Sequence, residues 1–200
     1  MFKALIMTAL FISYITNIHA ESRNEIIQRI KAAIAQTERL NPKVQQFAVE
    51  VAQAFSANKE FIKAVKQQNA KETPLTEIQK IDKEWQEAED ELPIHEEMLG
   101  NSCALEVKKQ IANYPQIVEA FIMDNQGANV GQNDLTSDYW QGDETKWTAS
   151  FKNGIGGFYA GKEEFDKSAN ALLQQLAFPI IDDDGAVIGA ICIGVNVSKL

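Results

Sequence analysis

All eleven glycines of this 200-residue chain lie at or beyond Gly100, and that partition limits the fold more than any other feature. Glycine weakens a helix interior by about 1 kcal/mol relative to alanine, and it supplies the left-handed backbone that tight turns need. A first half without glycine is free to be helical. A second half rich in it reads as short elements closed by turns, with the boundary near residue 100.

In the first half Ile26, Ile27, Ile30, Ala33 and Ile34 recur at helical spacing, as do Val44, Phe47, Ala48, Val51, Ala52 and Phe55, with Asn41-Pro42 marking the restart between them. A third helix is predicted from Thr73-Pro74 through Leu75, Ile78, Ile81, Trp85 and Ala88, ended by Pro93. A fourth opens at Asn101 or Ser102 and runs to Tyr114-Pro115. Charged stretches such as KEWQEAEDE read as solvated helix surface. The near-heptad spacing of Leu75, Ile78, Trp85 and Leu92 permits a homodimer through these helices.

Beyond residue 115, QIVEAFIMDNQGANVGQ and LAFPIIDDDGAVIGAICIGVNV each read as strand, turn, strand. They share one form, an apolar run, Asp-x-x-Gly and an apolar return: Asp124 and Asp182 can bond backbone two residues on, while Gly127 and Gly185 take the positive φ that closes a hairpin. The triple aspartate at 182–184 lacks the ligand spacing and distant glutamate of a calcium loop, so turn chemistry is the better reading. GFYAG and ALLQQLAFPII, the latter alternating through Leu172, Leu176, Phe178 and Ile180 about Gln174, supply further strands. The predicted class is α+β, helices followed by an antiparallel sheet.

The first twenty residues, with one charge at Lys3, an apolar run from Ala4 to about Ile18 and a small residue at Ala20, read as a cleaved secretory signal peptide. The expected compartment is therefore periplasmic or secreted. Loss of Lys3 takes the formal charge from -9 to -10, which argues against nucleic acid as a partner. Cys103 and Cys192 can pair in such a compartment, but the plainer reading is two small buried residues. His95 lacks the second histidine of a helical zinc motif, and neither a metal nor a cofactor is expected.

TSDYWQGDETKW, residues 136–147, concentrates two of the three tryptophans, a tyrosine and several acids. Its second half reads as a helix start, with Asp143 as cap, Trp147 and Phe151 on one face, and Gly154 as the end. Its first half has no regular face to bury rings. A carboxylate beside tyrosine and tryptophan can hold an ammonium by charge, hydrogen bond and cation-π contact, so Asp138, Tyr139 and Trp140 are expected to line a pocket. Asp138, Asp143, Glu144 and Asp166 could also supply a carboxylate pair for glycoside hydrolysis, but no serine elbow, metal helix or phosphate loop accompanies them, and catalysis is not expected.

The helix leading into VEAFIMDNQGANVG, the TSDYWQGDETKW segment, FDKSANALLQQLAFPI and the closing DDDGAVIGAICIGVNVSKL together resemble the Cache, or PDC-type, extracytoplasmic sensor domains, which are PAS-like. The resemblance covers residues 99–200, with 21–98 as a helical N-terminal extension and 1–20 as the leader. It implies a central antiparallel sheet whose concave face, covered by loops and a short helix, holds an amino acid, amine or carboxylate. Asp166 matches the place where relatives present a pocket carboxylate, and Trp147 joins the expected ligand-binding set. The implied function is signal perception with a separate membrane sensor protein. The alternative is an envelope interaction protein with a vestigial pocket.

Overall fold

The structure, a computed structural model, describes residues 21–166 and 171–200, with the side chain of Asp166 not among what is described. The predicted leader lies outside the described residues.

Six helices precede the sheet: α1 (Arg23–Ala35), α2 (Pro42–Ser56), α3 (Lys59–Asn69), α4 (Leu75–Glu87), α5 (Pro93–Gly100) and α6 (Ser102–Asn113). Their starts follow local chemistry. Ser22 and Glu25 form a reciprocal capping box at α1, and the Asn41 and Asn58 side chains each accept two backbone N–H groups at the starts of α2 and α3. Asn101 caps α6 by accepting from the Ala104 N–H at 2.9 Å.

Two features differ from expectation. The periodicity of Phe61, Ile62 and Val65 makes a separate helix, α3, behind the Asn58 cap. Pro93 opens α5 rather than merely ending α4, which stops at Glu87, because a proline suits a first helical turn whose N–H has no partner anyway.

The strands are β1 (Ile117–Met123), β2 (Asn129–Gln132), β3 (Tyr159–Asp166), β4 (Ala171–Ile181) and β5 (Val187–Asn196), with the short helix α7 (Thr145–Phe151) inserted after β2. They form one antiparallel sheet in the order β2-β1-β5-β4-β3. This is the α+β class expected, helices followed by one antiparallel sheet.

The two Asp-x-x-Gly hairpins use one device. Asp124 Oδ1 accepts from the Gln126 and Ala128 N–H groups at 2.8 and 2.9 Å. Asp182 Oδ1 accepts from Asp184 and Ala186 at 3.0 and 2.9 Å. Gly127 and Gly185 stand at φ +88 and +85, where a side chain would be strained. Asp182 also pairs with Lys66 at 2.8 Å and Asp183 with Arg23 at 2.6 Å, so turn and surface chemistry account for these two.

Alternation along the strands gives the sheet two faces. Ile122, Leu176, Phe178, Ile180, Ile191 and Ile193 point to one side, where they form a single core with Ile30, Ile34, Val44, Val51, Phe55 and Val65 of the first three helices. Phe121, Met123, Ala177, Ala190 and Cys192 point to the other, where α7 lays Trp147 across them. Cys103, in α6, packs in the first core and Cys192 in the second, and both are free thiols.

A third cluster joins Ile78, Trp85, Met98, Ala128 and Tyr139. Two members of the near-heptad series, Ile78 and Trp85, are thus buried within the chain. No helix among the described residues is long and apolar enough to cross a membrane.

Candidate functional site

The structure brings Asp138, Tyr139 and Trp140 together, and it holds them through α4. Asp82 Oδ1 accepts from both the Tyr139 and Trp140 backbone N–H groups at 2.9 Å, and the Trp85 indole donates to the Thr136 carbonyl at 2.9 Å. The Asp138 carboxylate accepts from the Gln141 amide, with which it makes a short contact, and from the Ser137 hydroxyl at 3.1 Å. The Trp140 indole donates to the Gln126 carbonyl at 2.8 Å. These polar groups are committed to partners within the protein.

Tyr139 is buried and tilts against Trp85, with ring centroids 5.9 Å apart. Its phenol is pushed up to about 12 by burial first and by the nearby Asp124 charge second. It lines a cavity of about 180 Å³ between α4, α5 and the β1–β2 hairpin, and neither Asp138 nor Trp140 is in that lining.

Trp147 stands apart, on the other face of the sheet. Its ring stacks on Phe151 at 5.0 Å, as the spacing predicts, and its indole donates to the Asp124 carbonyl at 3.1 Å. The cap differs from expectation: Glu144, not Asp143, occupies the position before α7, and its carboxylate pairs with Lys146 at 2.9 Å instead of capping. The helix also stops before Gly154, because Lys152 and Asn153 already adopt left-handed backbone at φ 51 and 52. Asp166 ends β3 opposite Ala171, and its side chain is outside what is described.

Cross-strand register shows what α7 leaves uncovered. On its face the strands present successive rows: Met123, Ala190 and Pro179; then Phe121, Cys192, Ala177 and Tyr159; then Glu119, Gly194 and Gln175, with Gly161 beyond on β3. Trp147 packs against the first two rows. The third row opens into a cavity of about 420 Å³ walled by Glu119, Gln175, Gly161, Tyr159, Leu173 and Phe165.

The third row is shaped by its glycines. A Cβ at Gly194 would come within 2.5 Å of Glu119 Cγ, so only glycine lets the Glu119 stem lie flat across β5. Lying there, Glu119 Oε1 accepts from the Gln175 amide at 3.0 Å. At Gly161 a Cβ would meet nothing closer than 3.4 Å, so its absence leaves room rather than avoiding a collision.

The charged groups around this floor are unevenly placed. Lys146 lies under α7, 11% exposed, paired with Glu144 and 5.4 Å above the Phe121 ring. Lys162 and Glu164 stand at the cavity's edge on β3. Phe165 is 61% exposed, an uncovered aromatic at the rim of a polar floor. A carboxylate, an amide and two rings around one hollow can hold a cationic headgroup by charge, hydrogen bond and cation-π contact.

Sequence reasoning missed Glu119, Gln175 and Gly161. The signal was present in IVEAFIM, whose alternation puts Glu119 on the same face as Phe121 and Met123.

No protein-family model matches the chain, and no curated protein matches it in sequence. Among solved structures it is similar to the sensor domain of the V. cholerae histidine kinase DctB, at TM-score 0.44 and 12% identity over 88% of this chain and 55% of that one. It is also similar to the ligand-binding domain of the Campylobacter jejuni chemoreceptor Tlp3 in complex with 4-methylisoleucine, at TM-score 0.38 and 12% identity over 88% and 61% of the two chains. The Tlp3 sensory domain with isoleucine bound gives TM-score 0.37 and 12% identity over 91% and 65%. The chain thus spans between 55% and 65% of the length of these sensor domains.

Proposed function

We propose that this chain is an exported, non-catalytic sensor domain that binds a small ammonium-bearing molecule, an amine or amino acid, on the uncovered row of its sheet, and that a separate membrane protein reads its occupancy. The observation that carries the reading is the hollow over Glu119, Gly194, Gln175 and Gly161. Glu119 is the group assigned to the ammonium, with Tyr159 and Phe165 flanking it. Lys162 is placed to meet a carboxylate if the ligand has one. Asp166 follows Phe165 along β3 and is assigned to the rim. Asp138, Tyr139 and Trp140 then serve the site at a distance, by fixing the segment that leads into α7.

The test is a thermal-shift screen with amino acids, amines and small carboxylates. A ligand that binds only the native state at a hundred times its dissociation constant contributes about 2.7 kcal/mol, or about 5–11 °C for a domain of this size. Glu119→Gln keeps the shape and removes the charge, and Gly161→Leu fills the hollow; each should weaken an ammonium ligand at least tenfold, taking about 1.5–3 kcal/mol for a charged hydrogen bond. Affinity unchanged by both would refute the site. No hit across the library would favour the interaction-protein alternative, and turnover of a glycan panel the hydrolase.

A further inference from the structure

The two hairpin aspartates are built alike and finished differently. In each, Oδ1 takes two backbone N–H groups of its own turn. For Asp182 the second oxygen is met by Lys66 Nζ, from α3, at 2.8 Å. For Asp124 it is met by Gln68, also from α3, whose amide reaches it only at 3.4 Å while making its shorter bond, 3.0 Å, to the Asn129 carbonyl. Among the described residues no cation stands within ion-pair distance of Asp124, although its side chain is in the more deeply buried surroundings of the two, 3% exposed. A buried carboxylate oxygen without a strong donor is costly, and burial correspondingly holds the Asp124 carboxyl above the usual carboxylate range.

Asp124 is one of the residues lining the cavity of about 180 Å³ described above, on the helix side of the sheet. Its apolar walls are Ile78, Ile81, Ile94 and Met98, and Thr73, Gln68 and Tyr139 line it as well, the Gln68 amide lying 3.4 Å from both Asp124 Oδ2 and the Tyr139 hydroxyl. Lys71 and Glu97 stand exposed at the mouth. A hollow with an aliphatic wall of three isoleucines and a methionine, a buried carboxylate and a phenol suits a molecule with an apolar body and a cationic head. Its volume is comparable to the roughly 150 Å³ apolar cavity that admits benzene.

We propose that this cavity is a second binding site, separate from the sheet face, for a short primary alkylamine whose ammonium meets Asp124 Oδ2 and the Tyr139 hydroxyl and whose chain lies among Ile78, Ile81, Ile94 and Met98. The site does not depend on the sheet-face reading, since it lies behind the sheet and shares none of the residues that wall the sheet-face hollow.

The experiment is a methyl NMR titration of the full chain with n-pentylamine, and with n-pentanol as its neutral counterpart. Saturable shifts are expected on the Ile78, Ile81, Ile94 and Met98 methyls, with pentanol at least tenfold weaker, taking about 1.5–3 kcal/mol for a charged hydrogen bond. Asp124→Asn keeps an oxygen for the turn and should abolish the preference for the amine. Should that variant not fold, Ile94→Phe, which fills the hollow from a half-buried position, should remove both shifts while the far-ultraviolet dichroism stays native. Glu119→Gln should leave the titration unchanged. Shifts on Leu173 in place of these methyls, equal binding of pentanol, or an unaltered titration in Asp124→Asn or Ile94→Phe would each overturn the assignment.

Discussion

Asp82 is the most exposed single point in the architecture of the aromatic segment, and Asp82→Ala tests it directly. One carboxylate oxygen accepts two backbone N–H groups, from Tyr139 and Trp140, both at 2.9 Å. Hydrogen bonds to a charged partner contribute about 1.5–3 kcal/mol each, and Asp82 is only half-buried, so the lower end applies and the pair is worth about 3 kcal/mol. For a domain of this size that is a fall in Tm of about 6–12 °C. The assay is differential scanning calorimetry of the wild type, Asp82→Ala and Asp82→Asn. The asparagine variant retains a neutral oxygen in place of the charged one and should lose about half as much. A loss in Asp82→Ala of under about 0.5 kcal/mol, the range of ordinary surface changes, would refute the clamp.

The buried ionisable groups supply two more tests. Burial alone would raise the Asp182 carboxyl, but the Lys66 hydrogen bond and the Ala186 and Asp184 N–H groups outweigh it and hold it below its usual value. A depressed carboxyl stabilises the fold above its unfolded pKa, about 3.9, and that contribution is lost as pH falls through the folded value. Asp124 has the opposite sign: burial raises it, the native state holds its proton longer than the unfolded chain, and stability falls as pH rises from about 3.9 through the raised value. Urea unfolding across the acid range should therefore show Asp182→Asn flattening the loss at the acid end and Asp124→Asn removing the fall just above it; unchanged pH slopes in both would contradict the assignments. Burial also pushes the Cys103 thiol up to about 12 and the Cys192 thiol higher still, so neither is a thiolate near neutrality. A thiol reagent should label neither in the native protein and both in denaturant, and prompt native labelling of either would contradict their burial.

The hairpins were legible in the sequence because their chemistry is local: an aspartate that bonds two residues on, and a glycine at positive φ, define the turn without reference to anything distant. The starts of α2 and α6 were legible for the same reason, an asparagine placed to cap the first turn. The cap of α3 has no proline, and its apolar run is short enough to pass for a charged connection. Pro93 was ambiguous because a proline forbids continuation of the preceding helix and favours initiation of the next one; α4 has already stopped at Glu87, and Pro93 opens α5, whose His95 and Met98 pack beside Trp85. The sheet-face hollow needed more than one strand. Alternation places Glu119 on a face, but the row it shares with Gly194, Gln175 and Gly161 comes from register across four strands, which no local pattern specifies. Asp82, inside a charged helical stretch, has the composition of solvated surface and acquires its role only from a segment more than fifty residues on.

The aromatic and acidic segment acts as a strap, and its composition follows from the surfaces each part must touch. Its first half crosses the end of α4, where backbone N–H groups turned inward need an acceptor and find Asp82, and where Trp85 and Tyr139 fill the space between helix and hairpin. Its second half passes to the other face of the sheet, where Trp147 covers the rows containing Phe121 and Cys192. The strap's own carboxylates are met from within it, Asp138 by Gln141 and Ser137 and Glu144 by Lys146, while its rings meet Trp85 at one end and the apolar sheet at the other. α7 reaches β3, β4 and β5, and the cover its Trp147 provides stops at the first two rows. The third row, with Glu119 laid across Gly194, lies beyond that cover, so the same strap that ties the N-terminal helices to the hairpin also sets the edge of the sheet-face hollow. Mutations that loosen the strap at Asp82 should then weaken a sheet-face ligand without touching it, by letting α7 shift over the row that the ligand occupies.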